Sequence, residues 1–404
     1  MSTSLLYHAF GIRGYQYVSS EYDGGRVTFK IHQRKTDLCC SLCRSRNVVR
    51  KGFVERHFSA VPIGLKPVDI VFPVQRVLCL DCGTIRQVKI GFADPRRSYT
   101  RQFERYALDL CRFMTIKDVA LHLRVSWDVV KDIQKRYLAR RFGRPKLKNL
   151  SRIAIDEICI GKGHQYLTVV MDLRTGVVVF VGDGKGAEAL EPFWRRLRAS
   201  RAKIEAVAID MSPAYISAVR GNLPEAAMVF DHFHIVKLFN EKLSDLRRSL
   251  FREARQHGKH RVIKGIRWLL LKNPDNLDES RNEPQRLEKA LELNKPLATA
   301  YYMKEELRLL WSHPNGKKAY RFLIDWIWRA GTSGVDMLFR FARTLVVHMH
   351  GILAYYDHRI STGPLEGTNN KIKTMKRQAY GFRDHEFFKL KIMGLHTTKY
   401  ALVG

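Results

Sequence analysis

Acidic residues are scarce in this chain. Over 404 residues, 39 Asp and Glu face 71 Lys and Arg, giving a net charge of +32 and a pI near 10.1. An excess of this size implies a polyanionic partner, nucleic acid being the usual one and an anionic membrane surface the rival. Long apolar runs are also missing. No stretch approaches the roughly 20 residues that a bilayer span needs, which argues against a membrane protein. The N-terminus, Met1-Ser-Thr-Ser-Leu-Leu-Tyr-His-Ala-Phe10, lacks the basic start and apolar core of a signal peptide. Cysteine is sparse: there are seven, four of them in two close pairs. That usage speaks against a disulfide framework and suits a reducing cytosol and a metal site. The expectation is a soluble cytoplasmic protein associated with the nucleoid. A hydrophobic fraction of 45% is ordinary for a globular chain, and the length suggests two to four domains with a sizeable core.

Three of the few carboxylates stand out by context. Ile153-Ala-Ile-Asp156-Glu157 and Val207-Ala-Ile-Asp210-Met211 are short apolar runs, rich in β-branched residues, that end on an acid. Such runs predict buried strands of a sheet covered on both faces. The C-terminal edge of such strands is where open α/β sheets place their ligands. The third, Glu366, lies in Ser361-Thr-Gly-Pro-Leu-Glu366-Gly-Thr-Asn-Asn-Lys-Ile-Lys373, the expected first turn of a basic helix. Three carboxylates from two strands and a helix can hold a pair of magnesium or manganese ions, as two-metal phosphoryl chemistry requires. Each also has a plainer explanation. Asp210 could cap the helix beginning near Ser212, and Glu366 could favour a helix dipole. Asp156 has the fewest, because an unpaired carboxylate ending an apolar strand is costly unless paired or metal-bound. Glu157 points to the opposite face if the strand continues, and Asp172 has the context of a hairpin turn.

Along the chain, residues 1–36 form a strand-containing lead without an evident function. Residues 37–92 carry Cys40-Ser-Leu-Cys43 and Cys79-Leu-Asp-Cys82 with strands between. Two such knuckles predict a zinc ribbon with one structural, four-thiolate zinc. Cys39 competes with Cys40 as the first ligand. Residues 98–142 are helical in pattern. Thr115 is a candidate cap for one helix and Ser126 for the next, which together suggest helix-turn-helix. Asp128, Lys131, Gln134 and Lys135 on the second helix are candidates to face DNA. Residues 150–236 alternate as three strands, a helix (186–200), a strand, a helix and a strand, the ribonuclease-H-like order. A tight turn is expected at Gly161-Lys162-Gly163. Residues 237–355 are helical, basic and tryptophan-bearing, and form an insertion. Residues 356–404 supply the closing helix, where Lys371, Lys373 and Lys376 are candidates to contact phosphates. The fold class is thus multidomain, mixed α+β and α/β: a zinc ribbon, a helix-turn-helix, then a ribonuclease-H-like domain interrupted by a helical insertion.

Together, Ile155-Asp-Glu-Ile-Cys-Ile-Gly-Lys-Gly-His-Gln-Tyr166, Asp210-Met-Ser-Pro-Ala-Tyr215, Phe230-Asp-His-Phe-His-Ile-Val-Lys237, Glu366-Gly-Thr-Asn-Asn-Lys-Ile-Lys373 and Arg377-Gln-Ala-Tyr-Gly381 give the chain a family likeness. It resembles the ISL-three family of bacterial insertion-sequence transposases, in the larger DDE group, from Cys40 to about Leu395. Ser41 departs from the proline common after the first knuckle cysteine. The resemblance implies Asp156, Asp210 and Glu366 as a catalytic triad, with Asp231 and His234 as an Asp-x-x-His pair supporting it. It implies a transposase that binds the terminal inverted repeats of its element, cleaves at their ends, and joins the freed 3′-hydroxyl to target DNA. Double-stranded DNA is then the partner, with no membrane, and at least a homodimer forms on DNA. Two rivals remain: a transcription regulator derived from a transposase, which binds DNA without cleaving it, and a ribonuclease-H-like nuclease. The nuclease leaves two N-terminal DNA-reading modules unexplained.

Overall fold

A computed structural model of the chain describes residues 4–161, 163–256 and 263–396. Lys162, in the expected tight turn, lies outside them. The chain divides into two compact units, one formed by residues up to Arg144 together with those from Met375 onward, the other by Pro145–Thr374.

The first unit opens with α1 (Leu5–Phe10) and the hairpin of β1 (Gln16–Asp23) and β2 (Arg26–His32). Two long strands follow, β3 (Val48–Ile63) and β4 (Lys66–Cys79), with the short β5 (Ile85–Gln87) on β4. The sheet order is β1-β2-β4-β3, with β2 parallel to β4. The lead is therefore not separate from the ribbon. Leu6, Phe10, Val27, Phe29 and Ile31 share one core with Phe58, Ile70, Phe72 and Phe92. Three helices come next: α2 (Arg101–Leu110), α3 (Ile116–Leu123) and α4 (Trp127–Phe142). Thr115 caps α3 by accepting from the Asp118 N–H at 3.1 Å. Ser126 occupies the cap position of α4, but its side chain makes no capping bond. Arg124, left-handed at φ 51°, reverses the chain between α3 and α4.

The second unit is built on a sheet of order β10-β9-β6-β7-β8. β6 (Arg152–Gly161), β7 (Gln165–Asp172) and β8 (Val177–Asp183) form an antiparallel meander. Asp172 shapes its second turn, accepting from the Arg174 N–H and the Thr175 hydroxyl at 3.0 and 2.7 Å. The helix expected over 186–200 is split into a 3-10 turn, Ala187–Leu190, and α5 (Glu191–Ser200). Pro192 explains the break, because it lacks an N–H and suits only the first turn of an α-helix. β9 (Ala206–Ile209), α6 (Pro213–Asn222) and β10 (Ala227–Phe230) follow, both strands running parallel to β6.

Helices then take over: α7 (His232–Gln256), α8 (Arg267–Leu271), α9 (Glu283–Glu292), α10 (Lys295–Arg308), α11 (Gly316–Thr332), α12 (Asp336–Leu353), α13 (Tyr355–His358) and α14 (Gly363–Gln378). They do not form a separate bundle. Phe230 at the end of β10 shares one core with Ile235, Phe239, Leu243, Trp326 and Phe341. Gly351 lets α12 close on the sheet, since a Cβ there would meet the Phe230 ring at 2.4 Å. Trp326 is fully buried and donates its indole N–H to the Met303 carbonyl at 2.9 Å, whereas Trp268 and Trp328 are exposed. Among the described residues no helix is long and apolar enough to cross a membrane.

The final helix, α15 (His385–Met393), belongs to the first unit and packs on α4. Leu138 and Tyr137 of α4 meet Phe387 and Leu390 of α15.

Candidate active site and metal centre

Strand register sets the first site. β6 pairs in parallel with β9 up to Ala154 opposite Ala208, and β9 with β10 up to Ile209 opposite Phe230. Carried past those pairs, the same register puts Asp156, within β6, level with Asp210 and Asp231, which directly follow the last residues of β9 and β10. The apolar run ending on Asp210 predicts this for β9, whereas β6 does not end on its acid but runs on past Asp156 to Gly161.

The three acids have different surroundings. One Asp156 oxygen accepts the Glu157 N–H at 2.8 Å and the other accepts the Asn369 side-chain N–H at 2.8 Å. Burial pushes the Asp156 carboxyl up to about 6; His234 and the Glu157 N–H oppose the rise, and the charges of Glu157 and Asp210 add to it. Asp210 spends one oxygen on the Ser212 N–H at 2.9 Å, at the entry to α6. Asp231 is an internal anchor, 2% exposed. It accepts from the Thr362 hydroxyl just before α14 and from the Phe233 N–H at 3.3 Å, and His232 Nδ1 lies 3.2 Å away. Burial works against its charge, but His232, the nearby His234 and the Thr362 hydroxyl outweigh it and hold the carboxyl below its usual range. Through these contacts Asp231 ties the starts of α7 and α14 to the sheet.

His234 stands one turn into α7, its Nδ1 3.6 Å from Asp231, an ion-pair distance too long for a hydrogen bond. Burial lowers its pKa, yet Asp231, Asp156 and Asp210 together raise it above the ordinary histidine value. Glu366, half-buried in the first turn of α14, acts on His232. Asn369, three residues on along the same helix face, is the residue that reaches Asp156. Lys371 and Lys373 are exposed further along α14, and Lys376 is half-buried.

Three participants escaped the sequence reading. Glu157 is raised in pKa by burial and by Asp210 despite a hydrogen bond from Tyr215, so it belongs to the same charge cluster as its neighbour. Tyr215 is fully buried, its hydroxyl 3.1 Å from that of Thr168. Asn369 is 5% exposed. The Asn-Asn pair after Glu366 was the available signal for Asn369, since asparagine inside a helix needs a reason beyond helix propensity.

The carboxylates do not converge as a tight cluster. Among the described residues, the four thiols of Cys40, Cys43, Cys79 and Cys82 are the one group of three or more potential ligands whose atoms all lie within 4.8 Å. Cys39 is outside it, which resolves the choice in favour of Cys40. Cys40 and Cys82 sulfurs are 3.7 Å apart, those of Cys43 and Cys79 3.5 Å. Tetrahedral zinc with bonds of about 2.3 Å separates its sulfurs by about 3.8 Å, so the group fits the ion. The two knuckles repeat one design. Arg44 and Gly83 N–H groups donate to the Cys40 and Cys79 carbonyls at 3.0 and 2.9 Å, each residue in the left-handed region. Glycine adopts that region freely and arginine does so at some cost. Backbone N–H groups of Cys43 and Leu42 bring the Cys40 thiol down to about 6. Cys43 has an opposing backbone bond from Ser45, yet its neighbouring sulfurs push it up to about 12. A divalent cation would relieve that conflict between thiolates.

On α4 the structure corrects one expectation. Gln134 is fully buried and cannot face DNA, because it lies among the apolar positions Val130, Ile133 and Leu138 that seat the helix. Lys131 lies 3.1 Å from Asp384, and Lys135 pairs with Asp384 at 3.2 Å and Glu386 at 2.7 Å, at the start of α15. On another side Arg136 holds α4 to α2 through Glu104 at 3.0 Å. The exposed positions of α4 lie in its first turn, Trp127 and Asp128, and in its last, Ala139, Arg140 and Arg141.

Comparison with known proteins agrees with this order of parts. A family model described as "Transposase" matches residues 153–392, one described as "Helix-turn-helix domain of transposase family ISL3" matches 88–138, and one described as "zinc-finger of transposase IS204/IS1001/IS1096/IS1165" matches 37–82. The chain is 34% identical over 389 residues to the transposase for insertion sequence element IS1001 of Bordetella parapertussis, covering 95% of each. It is 30% identical over 387 residues to the transposase for insertion sequence element IS1557 of Mycobacterium tuberculosis, covering 89% of this chain and 86% of that one.

Proposed function

The chain belongs to the ISL3 family of insertion-sequence transposases, and from that premise we propose that Asp156, Asp210 and Glu366 hold the divalent cations with which this DNA transposase cuts and joins strands. The observation that carries this reading is the parallel register that levels Asp156 with Asp210, together with the helix bearing Glu366 reaching Asp156 through Asn369. The sheet order, a meander followed by two parallel strands with helices between, supports a ribonuclease-H-like domain over 150–236, interrupted by helices 237–355 and closed by α14, whereas α15, expected in the same segment (356–404), belongs to the first unit. The N-terminal residues expected as lead (1–36) and ribbon (37–92) share one sheet and one core, and the helix-turn-helix (98–142) follows them.

Magnesium or manganese fits this donor set. Burial raises Asp156 and the charges of Glu157 and Asp210 add to the rise, and Asn369 Oδ1 is buried beside it without a hydrogen-bond partner. Two such ions would supply Lewis acidity toward the phosphodiester and toward the attacking oxygen. The chain's own residues do the rest. Asn369 and the Glu157 N–H fix the Asp156 carboxylate. Asp231 orients His234, which faces Asp156 and Asp210 and balances their charge. Lys371 and Lys373, with Lys376, grip phosphates beside Glu366. Hydrolysis at the end of the element frees a 3′-hydroxyl, whose attack on a target phosphodiester forms the new bond as the old one breaks. The ribbon and helix-turn-helix bind the terminal inverted repeats. Both ends must be held together, so the working form on DNA is at least a homodimer.

Asp156→Asn, Asp210→Asn and Glu366→Gln should each abolish magnesium-dependent cleavage and leave binding to the element end near wild type. An amide keeps the shape and loses the charge that holds a hard cation. Wild-type cleavage by any one of them removes that residue from the triad. Specific binding without cleavage by the unaltered protein would favour a transcription regulator.

A further inference from the structure

Asn369 makes one hydrogen bond fewer than its burial demands. Its side-chain N–H donates to Asp156 at 2.8 Å, and this fixes the orientation of the amide. Turned the other way, the carbonyl would face a carboxylate, acceptor against acceptor. The carbonyl oxygen is consequently not the atom that meets the Asp156 carboxylate. It is buried and has no hydrogen-bond partner, in a residue only 5% exposed. A buried acceptor left unsatisfied is costly, and a native fold keeps one only where something else meets it.

The surroundings narrow what that is. Asn369 shares its face of α14 with Glu366, and its N–H partner, Asp156, is half-buried. The strand edge collects Asp156, Glu157 and Asp210, whose charges oppose one another. A neutral, unpartnered oxygen buried beside an excess of negative charge is suited to a cation, and hard divalent cations take side-chain amide carbonyls alongside carboxylates.

We propose that the Asn369 side-chain carbonyl supplies a neutral oxygen ligand to the divalent cation held at Asp156, while the N–H of the same amide fixes the Asp156 carboxylate. This rests on the metal-binding role of Asp156 given above. The arrangement couples the closing helix to the strand edge: a cation at Asp156 ties α14 in place, and with it Glu366.

The experiment compares manganese binding to full-length wild type, Asn369→Asp and Asn369→Leu by titration calorimetry, with manganese-induced shifts in melting temperature as a second readout. Asn369→Leu removes both the oxygen and the N–H, and should weaken manganese binding by about tenfold or more, the range found when partners around a metal are lost. Asn369→Asp lacks the N–H too but keeps an oxygen at the same position, so it should bind manganese at least as tightly as wild type. If the residue acted only through its N–H, the aspartate would bind as weakly as the leucine, and that result overturns the proposal. Equal binding by all three overturns it as well. If Asn369→Leu does not fold, Asn369→Asp decides alone: binding weaker than wild type rejects the oxygen ligand. Absence of manganese binding in wild type, with Asp156→Asn indistinguishable from it, would instead remove the metal reading on which the inference rests.

Discussion

The four thiols and the strand-edge carboxylates are both sets of anionic ligands, yet they are arranged in opposite ways. The thiols have already converged within 4.8 Å, on knuckles whose backbone bonds repeat each other. Among the carboxylates, Asp156 and Asp210 are each bound separately, one to Asn369 and one to the Ser212 N–H, and a buried amide oxygen waits beside them. A structural ion completes a closed shell and stabilises the fold directly, whereas a catalytic one needs open positions for substrate. The first arrangement should therefore lose stability when disturbed, and the second should gain it.

The largest effect is expected at the ribbon. Stripping zinc with a strong chelator, or replacing the buried Cys79 by serine, should unfold the knuckle end of the first sheet, because structural zinc contributes on the order of 10 kcal/mol of folding free energy. Hydrogen exchange over residues 37–92 should rise steeply, and metal analysis of the intact protein should give about one zinc per chain. Well-folded, zinc-free protein with protected knuckle amides would break the comparison at its first term.

The carboxylates supply the opposite outcome. Burial raises Asp156 from 3.8 to about 6, so the metal-free fold favours its protonated form. The sign follows: that stability is fully present below the unfolded pKa of 3.8 and is lost as pH rises through about 6. Asp156→Asn abolishes that loss. At pH 7 it should stabilise the metal-free protein by up to about 3 kcal/mol, because a tenfold change in proton affinity is worth about 1.4 kcal/mol. The gain should fade near pH 4 and reverse when saturating manganese stabilises the wild type alone. Melting curves at both pH values check it. A lower melting temperature for Asp156→Asn at pH 7 without metal would show that its hydrogen bonds outweigh its charge.

What the sequence displayed follows from where the information is local. Apolar runs before Asp156 and Asp210 mark β6 and β9, though only the second ends at its acid, and cysteine pairs with two residues between them mark knuckles. The shared sheet of lead and ribbon was hidden because β2 pairs with β4 across about forty residues, and a strand's own alternation does not name its partner. Glu157 was set aside by strand alternation, but Asp210 stands at the end of the neighbouring strand and acts on both acids. The cover over α4 lay farthest out of reach. Its periodicity shows a polar and basic face, and nothing in those residues says that Asp384 and Glu386, some 250 positions away, meet Lys131 and Lys135.

The smallest effect extends the contrast between satisfied and waiting groups to the basic side chains. Lys371 and Lys373 are exposed on α14, and removal of each should lower the slope of log affinity against log salt by about one if it contacts a phosphate. The loss should be similar for element ends and random duplex. Lys131 and Lys135 already face carboxylates and so neutralise few phosphates, and Lys131→Ala should change the slope by much less than one. Replacing their partners, as Asp384→Asn with Glu386→Gln, should steepen the slope instead. The asparagine can still cap α15 through the Phe387 N–H, which Asp384 accepts at 3.0 Å, so the helix need not be lost. Titrations at several salt concentrations with both duplexes decide the matter. A slope that falls as far for Lys131→Ala as for Lys371→Ala would mean that DNA displaces Asp384 from α4, and that the ion pairs with α15 are broken whenever the helix is at work.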